Sequence, residues 1–178
     1  YNLITINMRK VNINIYRKRG VIVMSSKLDP NSLNMSGYSI GEIYLGQKAS
    51  VTKTIEAADV YTYAGIIGDI NPVHVNAEYA KTTRFGKRIA HGMLTASFFS
   101  TIVGMLIPGA DAIYCGQTLK FTAPVYFGDT ITAEAEVTKI IPEKRMIVMS
   151  TIVKNQDGKI VVEGEATAMA TKPEETAE

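Results

Sequence analysis

The chain has 178 residues, 46% of them hydrophobic, a formal net charge of +2 and one cysteine, Cys115. That is enough apolar material for one domain with a real core and too little chain for two; a lone cysteine excludes an intramolecular disulfide, and two histidines leave no Cys/His cluster for a structural zinc. Five basic residues (Arg9, Lys10, Arg17, Lys18, Arg19) and no acid fall within 1–23, so the rest of the chain carries −3, and so mildly acidic a body gives no support to a nucleic-acid surface.

Residues 1–23 are rich in Asn, Ile and Arg and begin at Tyr1, whereas Met24-Ser25-Ser26-Lys27 reads like a fresh start. A targeting peptide would carry more serine and a clearer amphipathic helix. Residues 1–39 are therefore read as an N-terminal extension, flexible and in part upstream-derived, with a polar, turn-rich end around Asp29-Pro30-Asn31. The domain is expected over 40–172, followed by a solvated tail, 173–178.

Gln47 to Ile55 predicts a strand, with Ala49, Val51 and Ile55 on one face and Lys53 breaking it. Glu56-Ala57-Ala58-Asp59 opens a helix with early acids, and Val60, Ala64 and Ile67 at helical spacing are expected to face the core. Pro72 fixes its own φ and biases Asn71 away from the α region, so this helix should stop near Asp69 and release the chain into a turn. Asn76 is the expected N-cap of a short helix, Ala77 to Thr82, read as a cover over that turn. Met93 to Ile107 is apolar nearly all round and predicts a long helix that needs central burial. At 15 residues it is short of the ~20 that span a bilayer, so a soluble, cytoplasmic protein with no membrane partner is expected.

Ala112 to Thr122 predicts a strand closed by Pro124 and the Gly128-Asp129 turn. Ile131, Ala133, Ala135 and Val137 alternate with polar residues, as in a strand with one wet face. Met146 to Val153 is apolar on both faces and belongs in mid-sheet or at a subunit contact, which points to a homo-oligomer, at least a dimer. Asn155 to Gly158 is a hairpin turn into a last strand, Lys159 to Thr171. The class is α+β: a strand and helices, a long buried helix, then an antiparallel meander of about four strands.

The chemistry-bearing stretch is Gly68-Asp69-Ile70-Asn71-Pro72-Val73-His74, which sets a carboxylate and an imidazole five residues apart across a proline. On spacing alone such a pair is more often a turn or a cap than a catalytic device. His91-Gly92-Met93 stands at the start of the apolar helix, with His91 read as fixing the turn before it. Ser97 lies mid-helix, where serine often bonds back to a carbonyl. Arg84, Lys87, Arg88 and Lys120 are basic residues that could meet phosphates.

Taken with Ala80, His91-Gly92-Met93-Leu94, Gly116-Gln117-Thr118-Leu119-Lys120-Phe121, Pro124-Val125 and Gly128-Asp129, this motif resembles the MaoC-like (R)-specific enoyl-CoA hydratases. The resemblance covers roughly 41–171, and the Asp-x-Asn-Pro-x-His element is its most specific part. It implies a hot-dog fold, an antiparallel sheet wrapped around a central helix. It also implies reversible syn hydration of a trans-2-enoyl thioester to the (R)-3-hydroxyacyl thioester, with no metal and no cofactor beyond the coenzyme A of the substrate. The family's paired acid and base fall on Asp69 and His74, and its carbonyl-polarising N–H on Gly92. Asn71, Met93 and Ser97 fall on the substrate side, and Arg84, Lys87, Arg88 and Lys120 are candidates for the coenzyme A phosphates. Ile67 departs from the small hydroxyl residue many members carry there.

Adding water to such a double bond sets two tasks. Positioned groups must move a proton, typically worth ~10²–10⁴-fold, and the thioester oxygen must be stabilised as it gains charge, where one donor is worth ~10²–10³-fold. The residues do not say which of Asp69 and His74 is base or acid, and acyl-chain length is equally open. The other readings are a 3-hydroxyacyl-[acyl-carrier-protein] dehydratase, a thioesterase on the same fold, which the Asp-x-Asn-Pro-x-His motif opposes, and a non-catalytic acyl-thioester-binding subunit.

Overall fold

The computed structural model describes residues 4–8, 11–18, 21–25 and 37–171. The chain divides into two units, 1–35 and 36–178. In the first, read from sequence as a flexible extension without strands, β1 (Ile4–Met8), β2 (Val11–Lys18) and β3 (Val21–Ser25) form an antiparallel meander. The turn at Asp29-Pro30-Asn31 and the tail expected at 173–178 lie outside the described residues.

The second unit opens with a 3-10 turn, Ile40–Glu42, and β4 (Lys48–Thr54). Lys53, the break in the apolar face of β4, reaches Asp59 at 2.8 Å in the first turn of α1 (Ala57–Ile67). The ammonium beside it holds the Asp59 carboxyl below the usual carboxylate range. Val60 and Ala64 are buried as expected, but Ile67 is half exposed. The reason is that α1 stops there: Gly68 adopts φ 76° and its N–H bonds Ala64 O at 2.9 Å, a left-handed cap that ends the helix before Pro72 acts.

Pro72, expected only to break a helix, also begins one. It occupies the first position of α2 (Pro72–Val75), where a missing N–H costs nothing. Asn76 then caps α3 (Ala77–Lys81), accepting from Tyr79 N–H at 3.0 Å.

The long apolar helix is instead two pieces, α4 (Gly92–Ala96) and α5 (Phe98–Met105). Ser97 causes the joint: its N–H is shared between Met93 O (2.9 Å) and Leu94 O (3.2 Å), and its hydroxyl donates to Leu94 O at 2.6 Å, so the turn tightens. Nor is this segment buried all round. Thr95, Ala96, Phe99, Ile102 and Val103 are buried, whereas Met93, Ser97, Ser100, Thr101 and Met105 are exposed.

The sheet has five strands in the order β4-β6-β7-β8-β5, all antiparallel, with β5 (Ile113–Phe121), β6 (Thr130–Ile141), β7 (Met146–Lys154) and β8 (Ile160–Met169). Only β6-β7-β8 is a simple meander. The first strand and the four after the helix are all present, but not as one meander: β4 joins beside β6, and β5 joins the far edge beside β8. The two-faced strand β7 lies in the middle, as its apolar pattern required. Helix α5 packs against β4, β5 and β6, joining Phe99, Ile102 and Val103 to Ile131, Ala133 and Met149 in one core; each large apolar side chain so buried contributes about 1.5–3 kcal/mol. A sheet wrapped around a central helix is the hot-dog arrangement.

Candidate active site

Asp69 lies in the exposed connection between α1 and α2, and local backbone bonds position it. The Asn71 N–H donates to Asp69 Oδ1 at 3.1 Å, and Asn71 Oδ1 in turn accepts from Val73 N–H at 3.2 Å as the N-cap of α2. Oδ2 is left to face the next turn. There His74 sits on α2, only 8% exposed, with Nδ1 2.8 Å from Ile89 O. A carbonyl only accepts, so Nδ1 carries a proton, and in the neutral ring Nε2 presents its lone pair. That Nε2 is 3.9 Å from Asp69 Oδ2. The carboxylate is about half exposed, at 48% of its side-chain surface, so one partner of the pair is wet and the other sheltered.

His91 completes the group. It is 3% exposed, its Nε2–H donates to the Asp69 backbone carbonyl at 2.9 Å, and the same nitrogen is 3.8 Å from Oδ2. Its ring stacks on His74 at 3.8 Å between centroids with 30° between planes, and Tyr63 packs on it at 5.3 Å. Its Nδ1 is buried and finds no hydrogen-bond partner among the described residues, an arrangement that ordinarily costs about 1–3 kcal/mol. His91 was expected to fix the turn before α4, but its side chain makes no capping hydrogen bond there and engages Asp69 and His74 instead. None of its bonds to Asp69 or His74 was visible in the sequence, because its partners lie 22 and 17 residues away and one is a backbone oxygen.

One atom from each of Asp69, His74 and His91 falls within a 4.8 Å group, a spacing that could admit a metal ion. A metal sits in the plane of each imidazole that binds it. Rings stacked face to face share no such point near both nitrogens, and the His91 donor is already committed. The arrangement suits a proton and a water better than a cation.

Gly92 begins α4, where the first N–H groups have no acceptor within the helix. It borders a cleft of about 690 Å³ whose walls include Arg84, Ile89, Met93, Phe121 and Val125. Neither Asp69 nor His74 is among the residues lining this cleft, but Ile89, whose carbonyl holds His74, is. A Cβ on Gly92 would stand 2.9 Å from Cδ1 and Cε1 of Phe121, a contact with no signature in the sequence.

The other candidates divide. Met93 and Arg84 line the cleft, and Arg84 lies 4.9 Å over the ring of Phe85. Lys87 and Arg88 line a separate hollow of about 220 Å³; Lys87 covers Tyr126 at 4.2 Å, and Arg88 covers Phe127 at 4.5 Å while donating to the Tyr61 hydroxyl. Lys120 is paired with Glu163 at 2.8 Å, which holds its ammonium pKa up. Ser97 is exposed and spends its hydroxyl on Leu94 O. Asn71 serves as a cap.

A hot-dog sheet with an Asp/His pair and a glycine at the start of its central helical segment defines a class of thioester-handling domain. The chain belongs to the MaoC like domain family, whose match spans residues 41–159. It is 52% identical over 128 residues to an (R)-specific enoyl-CoA hydratase of Rhodospirillum rubrum, covering 72% of this chain and 88% of that one. To the (R)-specific enoyl-CoA hydratase of Aeromonas caviae it is 42% identical, covering 72% and 96%. Among solved structures, R-hydratase PhaJ1 of Pseudomonas aeruginosa superposes with a TM-score of 0.73 at 45% identity, covering 80% of this chain and 93% of that one.

Proposed function

We propose that this protein is an (R)-specific enoyl-CoA hydratase that adds water reversibly to trans-2-enoyl-CoA. The observation that carries the reading is the 3.9 Å gap between Asp69 Oδ2 and the unprotonated Nε2 of His74. A water oxygen held at ordinary hydrogen-bond length from both atoms fits that spacing, donating one hydrogen to each. The relatives at 42–52% identity support the same substrate class.

In the hydration direction the water oxygen bonds to C3 while one acceptor of the pair takes its proton. The π electrons move through C2 onto the thioester oxygen, which Gly92 N–H stabilises as charge develops. The proton then passes from the pair to C2, so that one water is added and no group of the enzyme is consumed. Because both ends are served from one side, addition is syn. The Ile89 carbonyl keeps His74 in the tautomer whose lone pair faces the water, and Asn71 N–H keeps the carboxylate turned toward it. Arg84 is the basic residue placed to meet a coenzyme A phosphate from the cleft wall.

The protein works as a homo-oligomer, at least a dimer. Met93 and Met105 are exposed on the free face of α4 and α5, and the loop carrying Asp69 is flanked by Ile66 and Ile70, 75% and 70% exposed. A second copy covering these apolar surfaces would also enclose the open side of the site. The single cysteine, Cys115, is exposed and free, which fits the reducing cytoplasm.

The test is turnover of crotonyl-CoA and longer trans-2-enoyl-CoAs, followed by loss of the enoyl absorbance, with the stereochemistry of the product determined. Wild type should give the (R)-3-hydroxyacyl-CoA. Asp69→Asn and His74→Ala should each lose ~10²–10⁴-fold in kcat with the fold intact by circular dichroism. Wild type inert on every chain length sinks the reading.

A further inference from the structure

We infer that His91 is a positioning residue of this site: one ring fixes the backbone of Asp69 and the imidazole of His74 together, and so sets the gap in which the water reacts. The inference rests on the hydratase reading above.

His91 has the address of a helix cap, since it immediately precedes α4. Its side chain makes no capping hydrogen bond there; only its carbonyl serves the helix, accepting from Thr95 N–H at 3.2 Å and from the Thr95 hydroxyl at 3.3 Å. The ring turns instead toward the connection between α1 and α2. It is buried, clamped between His74 and Tyr63, and gives its one N–H to the carbonyl oxygen of Asp69.

That bond lands on a weak point of the site. Asp69, Ile70 and Asn71 are all exposed, and the carboxylate is otherwise held by the Asn71 N–H. Tying the Asp69 carbonyl to a buried ring transfers the rigidity of the core to an exposed loop. The stacked face does the same for His74: its Nδ1 is held by Ile89 O, and the His91 ring closes one face of the imidazole against rotation about its side-chain torsions. A reacting geometry misplaced by 1 Å costs on the order of 10²-fold, so a residue that holds both partners has a large effect without touching the substrate.

The experiment separates the two contacts. His91→Phe keeps a flat ring for stacking and deletes the donor; His91→Gln keeps a donor and deletes the ring. With wild type first shown to hydrate crotonyl-CoA, each variant should lose about 10- to 100-fold in kcat with KM within about threefold. In an Asp69→Asn background, His91→Phe should cost much less than it does alone, because the group it positions is already disabled. An inert wild type is a failure of the hydratase reading. An active wild type with either variant folded and within twofold in kcat, or with losses that simply multiply with Asp69→Asn, overturns the positioning role. Should neither variant fold, ¹⁵N spectra of the wild-type histidines decide. Opposite neutral tautomers, Nδ1–H on His74 and Nε2–H on His91, support the inference, and Nδ1–H on His91 overturns it.

Discussion

The role proposed for Gly92 depends on what it lacks. Without a Cβ the helix start lies against the Phe121 ring at the edge of the cleft; alanine would need space 2.9 Å from two ring carbons. Phe121 is half exposed and can swing, so the fold should tolerate Gly92→Ala while the cleft narrows where the thioester carbonyl approaches. The expected outcome is a fall in kcat/KM of about 10²-fold with little change in melting temperature. Unchanged kcat/KM would place the carbonyl elsewhere. The Asp69–His74 pair was readable from the sequence because five residues and a proline confine both side chains to one bend. The Ile89 carbonyl that chooses the His74 tautomer was not, since every residue has a carbonyl and only the fold selects one.

Among the secondary-structure elements of the second unit, the strands followed their patterns closely, whereas β1, β2 and β3 lie where no strand was expected. The alternation of β6 survives as buried Ile131, Ala133, Ala135 and Val137, and the two-faced β7 is central. Helix α1 ends at Gly68, close to where it was expected to stop, whereas the central helix departed from its apolar pattern because hydrogen bonding within one turn at Ser97 divides α4 from α5. The register of β5 on β8 has a steric requirement of its own. Gly164 opposes Leu119, and a Cβ there would lie 1.9 Å from the backbone oxygen of Thr118. Backbone cannot yield as a side chain does. Gly164→Ala should therefore destabilise by about 3 kcal/mol, the upper end for an overpacked site, read as a lower midpoint in urea. A native midpoint would mean that β5 and β8 separate without cost.

On the scale of the whole molecule, one chain leaves the sheet edged by β4 and β5, and α4 and α5 bare on one face. Scattered exposed apolar residues are ordinary, but Met93, Ile66 and Ile70 are grouped about the candidate site, where exposure to water would weaken the electrostatics of proton transfer. The mass in solution by light scattering at micromolar concentration should be at least twice 19.4 kDa. A monomer that is fully active would contradict the proposal that a second copy encloses the site.

The sequence alone determined where the main elements of the second unit run and the α+β class, because periodicity and caps are local properties of the chain; the proposed roles of Asp69 and His74 came through the resemblance. It also carried the family, through motifs in fixed order. Tertiary structure decided that β5 crosses to the far edge, that the central helix is buried on one side only, that Phe121 lies against Gly92 and that His91 reaches Asp69 and His74. Those contacts join residues far apart in the chain, and their geometry depends on how the sheet curves around the helix, which no single stretch of sequence encodes.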